Sequence, residues 1–373
     1  MAGLSQTDRG LYATLDSRLS VIAAGLPASM NGRTAFGAEL LSANGNAGES
    51  LLTPQAMQSV RTYLDGLQRL GVQGVSVQIA DPLLAPDFPR SAEYLRFYRE
   101  VADEVRRRGL LLMVETGPVF AGTEYSSVKV GDRWPANEAY FRDRSAQIVT
   151  IATEIKPDYL SMGNEPQTEQ MLTGLKFTLD EYIGFLQRTA AAAPRGATKL
   201  GAGTGTWEDP SWARRILADV SVDFLDLHQY PLTNGITDYT QRLVDLTREA
   251  KAKGKEVVIG EAWLYKSTDA ELGQGQAVAT KFGRDYFDVW ASLDARFIDT
   301  IGRLADREGI SYVSFFWSKY FFAYLPYSQD LASRPAAELI RLSNQAASAA
   351  LQQGPLTAAG EALKKLTAGF KGR

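Results

Sequence analysis

The chain contains no cysteine in 373 residues. Disulfides, thiolate nucleophiles and cysteine-bound zinc are therefore excluded, and the redox compartment stays open. It has one histidine, His228. Taken alone, a single histidine reads as a satisfied core residue. There is no apolar run of about eighteen residues, so no membrane-crossing helix is expected. Met1 to Pro27 lacks the basic start, apolar middle and small-residue cleavage site of a secretory leader. The expected location is the cytosol, or an exported compartment if a leader has been removed. Neither sign of charge dominates. With 40 basic and 43 acidic residues interspersed, there is no footprint for nucleic acid and no polybasic patch for a membrane. A neutral or small molecule is the expected partner.

What is present describes a globular chain with ample core, since 45% of residues are hydrophobic and 22% charged. The length would allow two ordinary domains, but α/β barrels with insertions also run this long. The order of elements decides between them. Residues 7 to 25 place Leu11, Leu15, Leu19 and Ile22 at helical spacing, giving a helix expected to cover one end of the fold. Eight strand candidates follow: Thr34 to Leu40, Gly74 to Ala80, Leu110 to Thr116, Tyr159 to Gly163, Lys199 to Gly203, Phe224 to Gln229, Val257 to Glu261 and Ser311 to Trp317.

Helical patterns alternate with these strands. One is expected to start with Thr53 as N-cap and Pro54 at its first position. The others are Ala92 to Arg108, Glu138 to Ile155, Leu179 to Ala192 behind the capping box Thr178 to Glu181, Ser211 to Leu217, Tyr239 to Ala252 and a long segment from Gln274 to Arg307. Apolar strands alternating with helices imply a parallel sheet covered by helices, and eight of them imply a closed (β/α)8 TIM barrel. An open doubly wound sheet is the competitor. No strand here runs into a glycine-rich dinucleotide or phosphate loop. The expectation is one domain over 1–373, with a helical segment at 1–33 and C-terminal helices at 334–373 packed on the barrel.

In such a barrel the active site lies at the C-terminal ends of the strands. Those ends are polar and aromatic: Glu39, Gln78 and Asp81, Glu115, Asn164 and Glu165, Thr204 to Trp207, His228 and Tyr230, Glu261 and Trp263, and Trp317. The stretch Tyr159 to Pro166 runs from strand into an Asn-Glu-Pro turn. Val257 to Trp263 repeats that layout, ending on Glu261 and an aromatic. Two strand-end glutamates are the parts of a glycosidase site, in which one protonates the leaving oxygen and the other attacks the anomeric carbon. A single strand-end glutamate is more often a solvated carboxylate or a helix N-terminal partner. The pair, on the fourth and seventh strands, carries the chemical reading.

Gly163-Asn164-Glu165-Pro166, Glu261, His228-Gln229-Tyr230 and Trp317, in this strand order, resemble the clan A glycoside hydrolases. The resemblance implies a retaining β-glycoside hydrolase without cofactor or metal, acting on a β-linked carbohydrate. It implies Glu165 as acid/base, Glu261 as nucleophile and Asn164 as the 2-hydroxyl ligand. Tyr230 would bond the nucleophile, His228 would line the sugar subsite, and Trp317 would form the platform under the ring. Glu115 is a further subsite candidate, and Trp134, Trp207, Trp263 and Tyr265 are loop candidates for stacking. The aromatic run from Phe315 to Tyr324 otherwise reads as core. Glu165 is expected to have a raised pKa and Glu261 to stay ionised.

One departure is plain. Many clan members carry an arginine near the end of the second strand, where this chain has Ser76, Gln78 and Asp81. Two other readings stay open. One is a divalent-metal sugar isomerase or epimerase, with Glu165, Glu261, Asp226, Glu115 and His228 as ligands. The other is a sugar-binding barrel without catalysis, although both glutamates are present.

Overall fold

In a computed structural model, which describes residues 3–231, 235–268, 271 and 283–372, eight parallel strands close into a barrel in sequence order. They are β1 (Ala35–Glu39), β2 (Gly74–Gln78), β3 (Leu111–Glu115), β4 (Tyr159–Ser161), β5 (Lys199–Gly205), β6 (Phe224–Gln229), β7 (Glu256–Ala262) and β8 (Tyr312–Phe315). Strand alternation sorts the side chains into two environments. Outward residues such as Leu112, Leu160, Leu225, Ile259 and Val313 join the large core under the helices. Inward residues stack in layers up the barrel. Ala35, Met113, Tyr159, Phe224, Val258 and Tyr312 form a dry floor. Above it come the polar residues Ser76, Ser161, Asp226 and Ser314, with Ser76 and Ser314 hydroxyls 2.7 Å apart and Ser161 donating to Asp226 at 2.6 Å. Above these stand Glu115 and His228. The interior thus grades from apolar to charged towards the C-terminal mouth.

Several local expectations change in the structure. Helix Ala56–Arg69 starts two residues later than Thr53 and Pro54 suggest, because Thr53 ends the preceding 3-10 segment Gly45–Leu52. The N-terminal helix Gln6–Ala24, capped by Ser5, lies on the outer ring against Ile236–Ala252 and Ala291–Glu308 rather than across an end. Of the long segment from Gln274 to Arg307, residues 274–282 lie outside the described residues, and its helix begins at Ala291. The C-terminal helices Ala336–Ala350 and Ala358–Ala368 pack on the barrel; Leu366 fills the space left by Gly302. Among the described residues no helix is long and apolar enough to cross a membrane.

Behind β7 lies a buried ionic knot. Lys266 is fully buried between Asp285 and Asp294, 2.6 Å from the latter, and Tyr324 and Trp263 donate to the same two carboxylates. Removing the cation would leave two buried carboxylates without a counter-charge. Lys266→Met should therefore destabilise the fold by about 3–5 kcal/mol, read as a clear drop in Tm and denaturant midpoint. An unchanged Tm would mean that the knot contributes nothing.

Candidate active site

A cavity of about 790 Å³ opens at the C-terminal mouth of the barrel. Asn164, Glu165, Glu115, His228, Tyr230, Glu261, Trp207, Trp317 and Tyr265 all line it. Trp263 and Trp134 do not. Trp263 is fully buried, stacked on Tyr320 with its indole N–H on Asp285. Trp134 packs edge-on against Tyr140 and lines a separate surface depression. Neither is therefore the stacking residue that its loop position suggests, because each packs its ring against aromatic neighbours outside the cavity.

Glu165 owes its position to the chain around it. Helix Pro166–Thr173 starts directly after it, with proline where no N–H partner is needed. Gly163 has no Cβ because the Tyr182 hydroxyl occupies that space, 2.2 Å from where a Cβ would stand. That hydroxyl donates to Glu169 at 3.0 Å, and Tyr140 donates to its other oxygen at 2.6 Å. Arg144, also fully buried, donates to the carbonyls of Met162 and Thr116 at 2.9 and 3.2 Å and pairs with Glu169 at 3.4 Å. The ends of β3 and β4 are thus tied to one buried ion pair. Glu208 adds a second anchor by accepting from the N–H groups of Gln167 and Gly205, and burial pushes its carboxyl up to about 8. Sequence reading missed Arg144 and Glu169, because helix-borne charges give no sign that they point inward, and Glu208, because a carboxylate in the turn after β5 reads as solvated.

Glu261 reaches the mouth through a bulge. Val258 and Gly260 already face the interior, so strict alternation would send Glu261 outward. The register of β7 shifts instead, pairing Leu227 with Ile259 and then His228 with Glu261. Two consecutive residues consequently face in, which is what a β-bulge does. Gly260 has to be glycine, since a Cβ there would lie 2.3 Å from Glu115 and 2.6 Å from Asp226.

His228 joins the charged residues. One ring nitrogen, Nδ1, is 2.7 Å from Glu165 and 3.6 Å from Glu261. The other, Nε2, is 3.0 Å from Glu115 and 3.8 Å from Asp226. Burial alone would lower its pKa, but the charge of Glu261 and the bonds to Glu115 and Glu165 raise it well above the ordinary histidine value. His228 thus stands among four carboxylates, more deeply engaged than a subsite lining. The Tyr230 hydroxyl donates to Glu261 at 2.5 Å. Burial pushes Glu261 well above the usual carboxylate range, opposed by the His228 charge and the Tyr230 hydroxyl and reinforced by Glu115 and Glu165. Burial and the two neighbouring carboxylates thus act against the ionised Glu261 expected from the sequence, and His228 and Tyr230 act for it.

Trp317 stands at the end of β8 with a left-handed backbone (φ 51°), uncommon for a bulky residue and found where surrounding structure over-determines it. Its ring borders the cavity beside Tyr125 and Phe316. Two triads could accept a metal ion by spacing, Glu115–Asp226–His228 and Glu165–His228–Glu261, each with one ligand atom per residue inside 4.8 Å of the others. Both need the same imidazole, whose two nitrogens already serve carboxylates.

No family model matches the sequence, and neither does any curated protein. Solved structures do resemble it. A GH5_18 protein from Streptomyces cattleya, in complex with Manβ1-4GlcNAc, is 16% identical with a TM-score of 0.53, over 91% of this chain and 81% of that one. An exo-β-1,4-mannosidase from Opitutaceae bacterium strain TAV5 is 13% identical with a TM-score of 0.54, over 93% of this chain and 61% of that one. At these identities the likeness is one of fold, and this chain spans about three fifths of the second protein.

Proposed function

We propose that the chain is a clan A glycoside hydrolase of a divergent family, cleaving β-linked glycosides with retention of configuration. The carrying observation is the carboxylate pair: an oxygen of Glu165 and one of Glu261 lie within 4.8 Å of each other in the barrel mouth. That spacing is nearer the roughly 5–5.5 Å of a retaining pair than the roughly 6.5–9.5 Å of an inverting one. Glu165 protonates the departing oxygen, Glu261 attacks the anomeric carbon, and Glu165 then takes the proton of the water that frees the sugar. His228 and Tyr230 hold Glu261 in its attacking form once substrate displaces water. Asn164 and Trp317 bind the ring, with Trp207 and Tyr265 across the cavity. Both solved likenesses are proteins named for, or bound to, a β-linked mannoside, so β-mannosides head the list of substrates to try.

The two metal-compatible triads are what favour the second reading, a metal-dependent isomerase. A chelator separates the two. Hydrolysis of an aryl β-glycoside should be unchanged after EDTA treatment and dialysis, with no gain on adding manganese. Activity abolished by EDTA and restored by manganese would favour the isomerase.

A further inference from the structure

The proposed mechanism leaves one end of the cavity without a role. In an eight-strand ring β8 stands opposite β4, and β1 is next to β8. Glu165 on the β4 side must meet the departing oxygen. The far end of the sugar, remote from its anomeric carbon, then lies towards β8 and β1. Two buried charged side chains line the cavity there, Glu39 and Lys319.

Among the described residues each keeps hydrogen-bonding capacity that the protein leaves unused. Lys319 lies among the rings of Tyr286, Trp317 and Tyr320, 5.2–5.3 Å from each, and makes one hydrogen bond, to Asn344 Oδ1 at 3.2 Å. Among the described residues no carboxylate oxygen comes within 4.0 Å of its ammonium. Burial pulls it down to about 8, against the charges of Glu39 and Asp285. Glu39 accepts from the Asn44 amide through Oε1 at 2.9 Å and is steadied by the Trp317 backbone, whereas among the described residues its buried Oε2 meets no full hydrogen-bond partner. A buried donor and a buried acceptor left open in one cavity are costly unless a ligand closes them. Beyond them the tail helix Ala336–Ala350 puts Ile340 and Asn344 into the wall, and the outer side of the same two residues borders a surface depression. Side chains of the tail helix therefore line this end of the cavity.

We propose that Glu39 and Lys319 seat a terminal, non-reducing sugar, Lys319 donating to one hydroxyl and Glu39 Oε2 accepting from its neighbour, both on carbons away from the bond that breaks. The inference rests on the hydrolase reading and adds that the substrate is a neutral glycoside with those hydroxyls free. A fixed acceptor beside the cation argues against an acidic sugar, whose carboxylate would face Glu39 as well as Lys319. Lys319 was invisible in the sequence because it sits inside the aromatic run from Phe315 to Tyr324.

The test compares the wild type with Lys319→Met and Glu39→Gln, which keep volume. The probes are 4-nitrophenyl β-mannoside, β-glucoside and β-galactoside, then the 3-, 4- and 6-deoxy forms of whichever is turned over fastest. Each variant should lose about 30- to 100-fold in kcat/KM on the parent sugar. On one deoxy sugar it should fall within about threefold of the wild type, because the contact is already missing there. The positions found for the two variants should be adjacent. An equal loss on the parent and on every deoxy sugar would mean that the residues only support the fold, and would overturn the proposal. A wild type that turns over none of the three parents would refute the hydrolase reading and this inference with it.

Discussion

Glu261→Ala should abolish turnover of every glycoside, whatever its leaving group, by about 10⁴-fold or more, the scale at which an enzyme loses a residue its covalent step depends on. The loss is uniform because no leaving group, however good, supplies the missing nucleophile. Stability should move the other way or not at all. Glu261 is one of four carboxylates around a single imidazole and is buried enough to be pushed well above its ordinary pKa, so its removal relieves repulsion. Paired measurements of kcat/KM and Tm check both points. A fall in Tm comparable to that of a core mutation would mean that activity was lost through unfolding.

Glu165→Ala is expected to behave differently. The group that protonates the leaving oxygen matters in proportion to how badly that oxygen needs a proton. Alkyl glycosides and disaccharides should slow by about 10²–10⁴-fold, the range of general acid catalysis, while aryl glycosides with acidic phenols should lose far less in the step that breaks the bond. Equal losses across a leaving-group series would remove the acid role from Glu165. His228 gives this variant a second signature. Its Nδ1 loses the 2.7 Å contact with Glu165, and Glu261 at 3.6 Å becomes its nearest remaining carboxylate on that side. The imidazole should titrate lower than in the wild type, which NMR can follow without ambiguity because the chain has a single histidine.

The parts of this architecture that were legible in the sequence are those governed by short-range periodicity. Apolar runs separated by capped helices specify parallel strands, and counting them is enough to close a barrel. Glu165 and Glu261 stood out because a carboxylate at a strand's C-terminal end must face the loops. What could not be read depends on one residue of register or on contacts far apart in the chain. Simple alternation would turn Glu261 away from the cavity, and only the bulge at Gly260 brings it in. Trp263 lies just past the end of β7, where strand alternation no longer sets its direction, and it packs on Tyr320 in the core. Lys319 and Asn344 meet only because the tail helix folds back over β8. Arg144 and Glu169 lie on helices, where polar residues ordinarily face water, and their role in fixing the Asn164–Glu165 turn emerges once β3, β4 and both helices are assembled.

The role of His228 likewise comes from assembly. Alone it reads as a core histidine. In the barrel it links the ends of β3, β4, β6 and β7 through their carboxylates, and its Nδ1 stands 3.6 Å from Glu261. Burial and mutual repulsion among these carboxylates raise the affinity of Glu261 for a proton, and the His228 ring and the Tyr230 hydroxyl oppose that rise. That arrangement suits an enzyme in which one carboxyl must be acid and then base while its neighbour must be an ionised nucleophile.

The central claim is that Glu261 forms a covalent bond to the sugar. It is tested most directly by exposing the protein to activated 2-deoxy-2-fluoro β-glycosides of the manno, gluco and galacto series, then measuring intact and peptide masses, with Glu261→Ala as control. The expected result is one sugar-sized mass increment, on the peptide that contains Glu261, absent from the variant. An increment on another residue, or none with any of the three while the folded enzyme still hydrolyses the parent glycoside, would contradict the assignment.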